Sequence, residues 1–175
     1  MTDRFPPREI FDFNEHNAVL DLCKKFKIET FAEIGVLYGS LANFLLSQYP
    51  FTEYFAIDNW LSGNYGLESY PQEAMDHVYN ECKKNLEQYL NVEILKMSSL
   101  SASHIFQAKT IDMVFIDASH EEADVVSDIY NWSLNAIKII AGHDYYLKPV
   151  KKAVDRMFDK VNIIDTKYQI WWKEL

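Results

Sequence analysis

The chain has 175 residues, of which 49% are hydrophobic and 25% are charged. This length and apolar fraction predict one globular domain over residues 1–175 and exclude a disordered protein, a collagen and a disulfide-rich miniprotein. The net charge of −9 disfavours a nucleic-acid partner, because such binding depends on clustered lysine and arginine. Neither residue type occurs in 28–82 or 110–137. These stretches are either a solvated acidic surface or a site for a cationic ligand or metal ion.

The cysteines and the hydropathy pattern bear on the cellular compartment. Cys23 and Cys82 cannot build a disulfide framework, and neither lies in a C-x-x-C pair. No stretch approaches the roughly 20 apolar residues of a membrane helix. The first residues lack the apolar core of a signal peptide. We therefore expect a cytoplasmic protein with no membrane partner.

Short strand-like runs alternate with helical runs along the chain. The strands are predicted at Phe31–Val36, Tyr54–Ile57, Val92–Leu95, Asp112–Ile116, Ile137–Ala141, Val161–Ile164 and Tyr168–Trp172. The helices are predicted at Ser40–Gln48, Gln72–Tyr89, Ser103–Gln107, Glu121–Asn135 and Pro149–Phe158. This alternation predicts an α/β fold whose parallel sheet has helices on both faces, with the last two strands forming a hairpin. Ligands should bind beyond the carboxyl ends of the strands.

Two glycines and an aspartate follow the first two predicted strands. Gly35 would let the backbone turn, and Gly39 would open the next helix toward a ligand. Asp58 lies about 20 residues further on, where an acidic residue suits a ribose diol. The G-x-x-x-G spacing differs from the G-x-G-x-x-G of dinucleotide sites, which disfavours a nicotinamide-dependent oxidoreductase.

Acidic residues and histidines follow the fourth and fifth predicted strands. Asp117, His143 and Asp144 could converge on one cation, since carboxylates suit hard divalent ions and imidazole favours transition metals. His120 could enter the same cleft and accept a proton near neutral pH. The alternative is helix capping by Asp117 or Ser119, which explains neither His143 nor Asp144.

Four segments together resemble class I S-adenosylmethionine-dependent methyltransferases, and most of all the small-molecule and sugar O-methyltransferases of the macrocin type. These segments are Glu33-Ile-Gly-Val-Leu-Tyr-Gly39, Ala56-Ile-Asp-Asn-Trp60, Phe115-Ile-Asp-Ala-Ser-His120 and Ile140-Ala-Gly-His-Asp-Tyr-Tyr146. The resemblance covers residues 31–158. It implies a Rossmann-like, doubly wound sheet of seven mostly parallel strands with a C-terminal antiparallel hairpin. The implied reaction is O-methylation of a small hydroxylated molecule such as a sugar.

The resemblance also implies where S-adenosylmethionine binds. The implied contact residues are Glu33, Gly35, Gly39, Asp58, Asn59, Trp60, Ser98, Ser99 and Asp117. The first three would shape the pocket for the methionine end, and the next three would hold the ribose and adenine. One of the two serines would lie near the adenine edge, and the sequence does not choose between them.

Metal ligands and a base are implied in the same way. The ligands would be Asp117, His143 and Asp144, binding Mg²⁺ or Mn²⁺, and His120 matches the proposed general base of sugar methyltransferases. The small-molecule substrate would be recognised by residues 59–71, by the termini or by a second subunit of a homo-oligomer. The alternative is a non-catalytic S-adenosylmethionine-binding or scaffold protein of the same fold.

Overall fold

Seven strands form one mixed sheet, and two short strands form a separate hairpin. The computed structural model describes residues 5–6, 13–65 and 68–175. The strands in these ranges are β1 (Thr30–Ile34), β2 (Glu53–Asp58), β3 (Gly63–Tyr65), β4 (Glu68–Tyr70), β5 (Val92–Lys96), β6 (Ile111–Ile116), β7 (Ala136–Gly142), β8 (Asn162–Ile164) and β9 (Ile170–Glu174). The helices are α1 (Phe13–Phe26), α2 (Ser40–Gln48), α3 (Gln72–Leu86), α4 (Ser99–Ser103), α5 (Glu122–Ser133) and α6 (Lys148–Met157).

The strand order in the large sheet is β5-β2-β1-β6-β7-β9-β8. The strands from β5 to β7 run parallel, whereas β9 is antiparallel to both β7 and β8. The order reverses between β1 and β6, where a doubly wound sheet leaves a crevice at the carboxyl ends. The predicted α/β fold, a Rossmann-like sheet of seven mostly parallel strands with a C-terminal antiparallel hairpin, is confirmed.

Helices cover both faces of the sheet and divide the core in two. On one face α1, α2 and α3 pack over buried side chains that include Phe31 and Tyr54. On the other face α4, α5 and α6 pack over a second set that includes Ala32 and Ile34. Every position of β6 is buried, as expected for a central strand of a covered parallel sheet. Within the described ranges, no helix has both the length and the apolar content to cross a membrane.

Helix α1 was not among the predicted elements, although its signal is present in the sequence. Val19, Leu22, Cys23 and Phe26 follow the i, i+3, i+4, i+7 spacing of an amphipathic helix. The first three are buried, and Phe26 packs against the same cluster. The helix therefore covers one face of the sheet, and its first turn lies near the carboxyl ends of the strands.

Two other predicted elements are wrong in position. The helix predicted at Ser103–Gln107 lies instead at Ser99–Ser103, because the Ser98 hydroxyl caps it by accepting a hydrogen bond from the backbone N–H of Ser101. The connection predicted as a loop at residues 59–71 contains the β3–β4 hairpin. Its strands are three residues long, too short to show an alternating pattern.

Candidate active site

The turn after β1 depends on glycine at two positions. Gly35 and Gly39 have φ angles of 92° and 73°, in the left-handed region. A β-carbon on Gly35 would lie 2.0 Å from the carbonyl oxygen of Asp117. A β-carbon on Gly39 would lie 3.1 Å from Sγ of Cys82 in α3. The glycines therefore allow the turn to pack closely against α3 and against the chain that leaves β6.

Glu33 lies in β1 just before the glycine turn and is almost fully buried. The Tyr54 hydroxyl donates a hydrogen bond to Oε2 of Glu33 over 2.6 Å. Burial and then the charge of Glu33 raise the pKa of Tyr54 well above its usual value. Tyr54 therefore stays protonated at neutral pH and holds the Glu33 carboxylate in a fixed position.

Asp58, at the end of β2, joins the glycine turn to the next connection. Its Oδ2 accepts hydrogen bonds from the backbone N–H groups of Val36 (3.0 Å) and Leu37 (2.9 Å). Its Oδ1 accepts one from the N–H of Trp60 (2.9 Å). Asn59 makes a fourth backbone hydrogen bond to this carboxylate, so its roughly four lone-pair positions all have partners. The predicted ribose contact would be made to a carboxylate oxygen that already accepts backbone hydrogen bonds.

Asn59 and Trp60, both predicted to lie beside the adenine, have different environments. Asn59 is exposed, and its Oδ1 accepts a hydrogen bond from the N–H of Leu61 (3.0 Å). Trp60 is fully buried, with its indole N–H donating to the carbonyl oxygen of Leu37 (2.8 Å) and its ring 4.8 Å from that of Tyr79. The Trp60 ring therefore presents no face to a ligand and instead supports the glycine turn.

Ser98 and Ser99 follow β5 and have different partners. Ser98 is exposed and caps α4 through Ser101. Ser99 points toward α5, where the indole N–H of Trp132 donates to its Oγ over 2.8 Å. The Ser99 hydroxyl in turn donates to Oδ1 of Asp128 over 2.5 Å. Ser98 therefore serves as a helix cap, and Ser99 links α4 to α5.

Asp128 should make protein stability depend on pH. Burial raises its pKa to about 6, against the opposing hydrogen bond from Ser99. Since the pKa is higher in the folded than in the unfolded protein, the free energy of unfolding should fall as pH rises from about 4 to about 6. We expect Asp128→Asn, which keeps an acceptor oxygen for Ser99, to add up to about 3 kcal/mol at pH 8 and little at pH 4.

Thermal unfolding of the Asp128→Asn variant and the wild type at both pH values measures this effect. Ser127→Ala, an exposed change on the same helix, is the control and should be neutral at both. An equal shift at pH 4 and pH 8 would contradict the assignment to a buried charge.

Asp117, His120 and Asp144 converge beyond the ends of β6 and β7. Each offers one atom able to bind a metal, and these atoms lie within 4.8 Å of one another. His120 Nε2 lies 2.8 Å from Asp144 Oδ2, and the His120 side chain is 47% exposed. Burial alone would raise the pKa of Asp144, but hydrogen bonds from His120 and His143 hold it well below its usual range. Asp144 is therefore ionised beside an accessible imidazole.

His143, predicted as a metal ligand, is not in this group of three. Its Nδ1 lies 3.5 Å from Asp117 Oδ1 and 3.4 Å from Asp144 Oδ2, and its Nε2 lies 3.4 Å from Glu15 Oε1. Burial alone would lower the pKa of His143, but Asp117 and Asp144 raise it to about 11. The buried His143 is thus an imidazolium among carboxylates, and His120 supplies the imidazole of the group of three.

Glu15 is a buried site residue that the sequence analysis missed. It is 1% exposed, and besides facing His143 its Oε1 accepts a hydrogen bond from the backbone N–H of Tyr168 (3.1 Å). It therefore ties α1 to the turn between β8 and β9. An acid in the first turn of a helix is common on protein surfaces, so nothing local in the sequence marks it.

Neither Asp117 nor Ser119 caps α5, whose N-cap residue is Glu121 and which has no side-chain capping hydrogen bond. Ser119 Oγ accepts a hydrogen bond from the N–H of Glu121 (3.2 Å) and donates one to Asp124 Oδ2 (2.7 Å). Ser119 thus shapes the chain just before α5. The carboxylate of Asp117 instead faces His143. Asp117 belongs with His120 and Asp144 to the group of three described above, which we call the acid–histidine group.

The sequence profile of a family described as "Methyltransferase domain" matches residues 32–145, more than half of the chain. The chain belongs to this family, and it is a class I S-adenosylmethionine-dependent methyltransferase. No curated protein matches its sequence.

Solved O-methyltransferase structures share the fold. A Staphylococcus aureus protein assigned as a caffeoyl-CoA O-methyltransferase has a TM-score of 0.71 at 15% identity, covering 94% of this chain and 84% of its own. A Klebsiella pneumoniae protein assigned as an O-methyltransferase has a TM-score of 0.69 at 13% identity, covering 96% and 82%. The O-methyltransferase TomG from Streptomyces achromogenes, solved with S-adenosylmethionine, has a TM-score of 0.67 at 12% identity, covering 91% and 78%.

Proposed function

We propose that the protein methylates a hydroxyl oxygen of a small molecule and that its acceptor is a sugar. The observation that carries this proposal is the His120–Asp144 pair, an accessible imidazole held at 2.8 Å by a carboxylate at the carboxyl edge of the sheet. Residues 115–120 and 140–146, which carry the pair, are also the segments that resemble sugar O-methyltransferases of the macrocin type. The neighbours named for O-methylation support oxygen as the acceptor atom.

His120 is the residue that we assign to proton removal. Methyl transfer needs an in-line approach of the acceptor oxygen, and a hydroxyl becomes a good nucleophile only as its proton leaves. Asp144 Oδ2 accepts the hydrogen bond of His120 Nε2–H, which leaves the lone pair of Nδ1 to take the proton. The carboxylate also stabilises the imidazolium that results.

S-adenosylmethionine supplies the methyl group when it is bound. We assign its methionine end to Glu33 of β1 and to the turn that contains Gly35 and Gly39, and its ribose to the Asp58 carboxylate. Asp117 lies between this turn and the His120–Asp144 pair, since its backbone touches Gly35. The absence of lysine and arginine from residues 28–82 favours a positively charged sulfonium here.

A divalent cation is a second candidate ligand of the same group. The two carboxylates and one imidazole of Asp117, His120 and Asp144 fit Mn²⁺ or Mg²⁺, which would orient the acceptor oxygens and lower their pKa. His120 Nε2 would then face the ion instead of donating to Asp144. Because Nε2 cannot donate to Asp144 and bind an ion at the same time, general base and metal ligand are alternative roles of His120.

Asp144→Ala tests the cation site. We expect it to weaken Mn²⁺ binding at least about tenfold, since it removes an ionised ligand, while the affinity for S-adenosylhomocysteine stays within about twofold. Calorimetric titration with each compound separates the two effects. Asp159→Ala removes an exposed acid beyond the end of α6 and should change neither. Wild-type Mn²⁺ binding by the Asp144 variant would refute the cation site.

The reaction itself is tested with S-adenosylmethionine and a panel of sugars, catechols and amines. Formation of S-adenosylhomocysteine together with an O-methylated sugar is the expected result, read by mass spectrometry. Turnover restricted to catechols would overturn the sugar assignment, and turnover restricted to amines would overturn O-methylation.

A further inference from the structure

Ser99, Asp128 and Trp132 form a hydrogen-bonded chain that the proposed reaction does not use. An indole N–H can only donate, so Trp132 donates to Ser99 Oγ, and the Ser99 hydroxyl turns its own proton to Asp128. Trp132 is fully buried, and Asp128 is 8% exposed. The direction of both hydrogen bonds is therefore fixed, and the Ser99 hydroxyl has one orientation.

This chain ends beside the residue that we assign to the ribose. Asp58 of β2 pairs in register with Lys96 of β5, and the N–H of Met97 donates to the carbonyl oxygen of Asp58 over 3.0 Å. Ser99 is two residues further along. The segment 97–99 therefore lies at the same edge of the sheet as the Asp58 carboxylate, within reach of a nucleoside held there.

The segment needs support from outside its own helix. α4 has only five residues, and so short a helix is unstable by itself. Apolar contact comes from the buried cluster that contains Ala102 of α4 and Trp132, against which Met97 and Phe106 pack. Such packing is non-directional, whereas the two hydrogen bonds at Ser99 set the orientation of the chain.

We propose that Asp128 and Trp132 are positioning residues for the cofactor, which act through Ser99 to hold segment 97–99 at the adenine edge. This rests on the proposed placement of the nucleoside beside Asp58. Residues 117–120 lead directly into α5, which carries Asp128 and Trp132. Helix α5 therefore begins next to the acid–histidine group and also carries the two residues that hold segment 97–99.

Calorimetric titration with S-adenosylhomocysteine tests the proposal. Ser99→Ala and Asp128→Ala should each weaken binding by about five- to tenfold, the change expected when a hydrogen bond is lost. Asp128→Asn retains an acceptor for the Ser99 hydroxyl and should bind within about twofold of the wild type. Ser127→Ala, on the exposed face of α5, is the matched control and should also bind like the wild type.

S-inosylhomocysteine, in which an oxo group replaces the adenine amino group, separates positioning from a merely structural effect. If segment 97–99 recognises the adenine edge, Ser99→Ala should lose several-fold of the preference for the adenine compound. A structural effect would weaken both compounds equally and leave the preference unchanged.

Three results would overturn the proposal: wild-type affinity in Ser99→Ala, an Asp128→Asn variant as weak as Asp128→Ala, or an unchanged preference between the two nucleosides. Ser99→Ala removes a single oxygen atom, so it keeps the test valid if Asp128→Ala does not fold. Failure of the wild type to bind S-adenosylhomocysteine would instead refute the proposed cofactor site, which distinguishes the two failures.

Discussion

Replacing His120 with alanine should lower the turnover of methyl transfer by about 10²- to 10⁴-fold, the usual contribution of a general base. The substitution removes the imidazole that Asp144 orients at 2.8 Å, and it leaves the glycine turn and Asp58 untouched. The dissociation constant of S-adenosylhomocysteine should therefore stay within about twofold. Steady-state kinetics with the best acceptor and calorimetry with the product measure the two quantities.

His104→Ala is the matched control, because it removes an exposed histidine outside the site and should leave both quantities unchanged. A loss of turnover below about tenfold in His120→Ala would refute the base assignment. Mn²⁺ titration of the same variant decides between the two uses of His120. Retained Mn²⁺ affinity with lost turnover identifies a base, whereas joint loss identifies a ligand.

Gly35→Ala should destabilise the protein by about 3 kcal/mol or more, because it combines overpacking with a left-handed backbone. The new β-carbon would lie 2.0 Å from the carbonyl oxygen of Asp117 and 2.8 Å from Cα of Ala118, and backbone atoms cannot rotate away. In a chain of this length the melting temperature should fall by roughly 6–12 °C. Thermal unfolding measures the shift, and calorimetry should show weakened S-adenosylhomocysteine binding.

Gly63→Ala is the control for this substitution. No atom lies within 4 Å of a β-carbon built on Gly63, so stability should change by less than about 0.5 kcal/mol. A Gly35→Ala protein that melts like the wild type and binds S-adenosylhomocysteine with unchanged affinity would contradict the close packing of the glycine turn.

The sequence predicted the edge of the sheet where the candidate site residues meet. Asp58, Asp117 and Asp144 lie far apart in the chain, but each lies at or just beyond the end of a strand of the parallel sheet, and the carboxyl ends of parallel strands share one edge. The topology therefore brings them together without any contact information. The position of α4 was not predictable in this way, since a single turn of helix shows no periodicity and only the Ser98 cap marks its start.

The sequence could not show which histidine, His120 or His143, lies with Asp117 and Asp144 as a possible metal ligand. His120 and His143 both follow buried strands, yet one is half exposed and the other is buried among Asp117, Asp144 and Glu15. Glu15 of α1 contributes to that difference, since its Oε1 lies 3.4 Å from Nε2 of His143. The burial of Trp60 could not be predicted either. The local sequence is the same whether the indole ring contacts a ligand or packs beneath the glycine turn.

The contact between Gly35 and the backbone of Asp117 joins the turn that we assign to the cofactor to the residues that we assign to the acceptor. A ligand that moves the glycine turn also moves the aspartate of the acid–histidine group, and the reverse holds equally. Binding energies linked in this way are reciprocal, so the cofactor should change the affinity for the acceptor by the same factor as the acceptor changes the affinity for the cofactor. The consequence is that the two dissociation constants depend on each other, so the affinity for the cofactor should change when the acceptor is present.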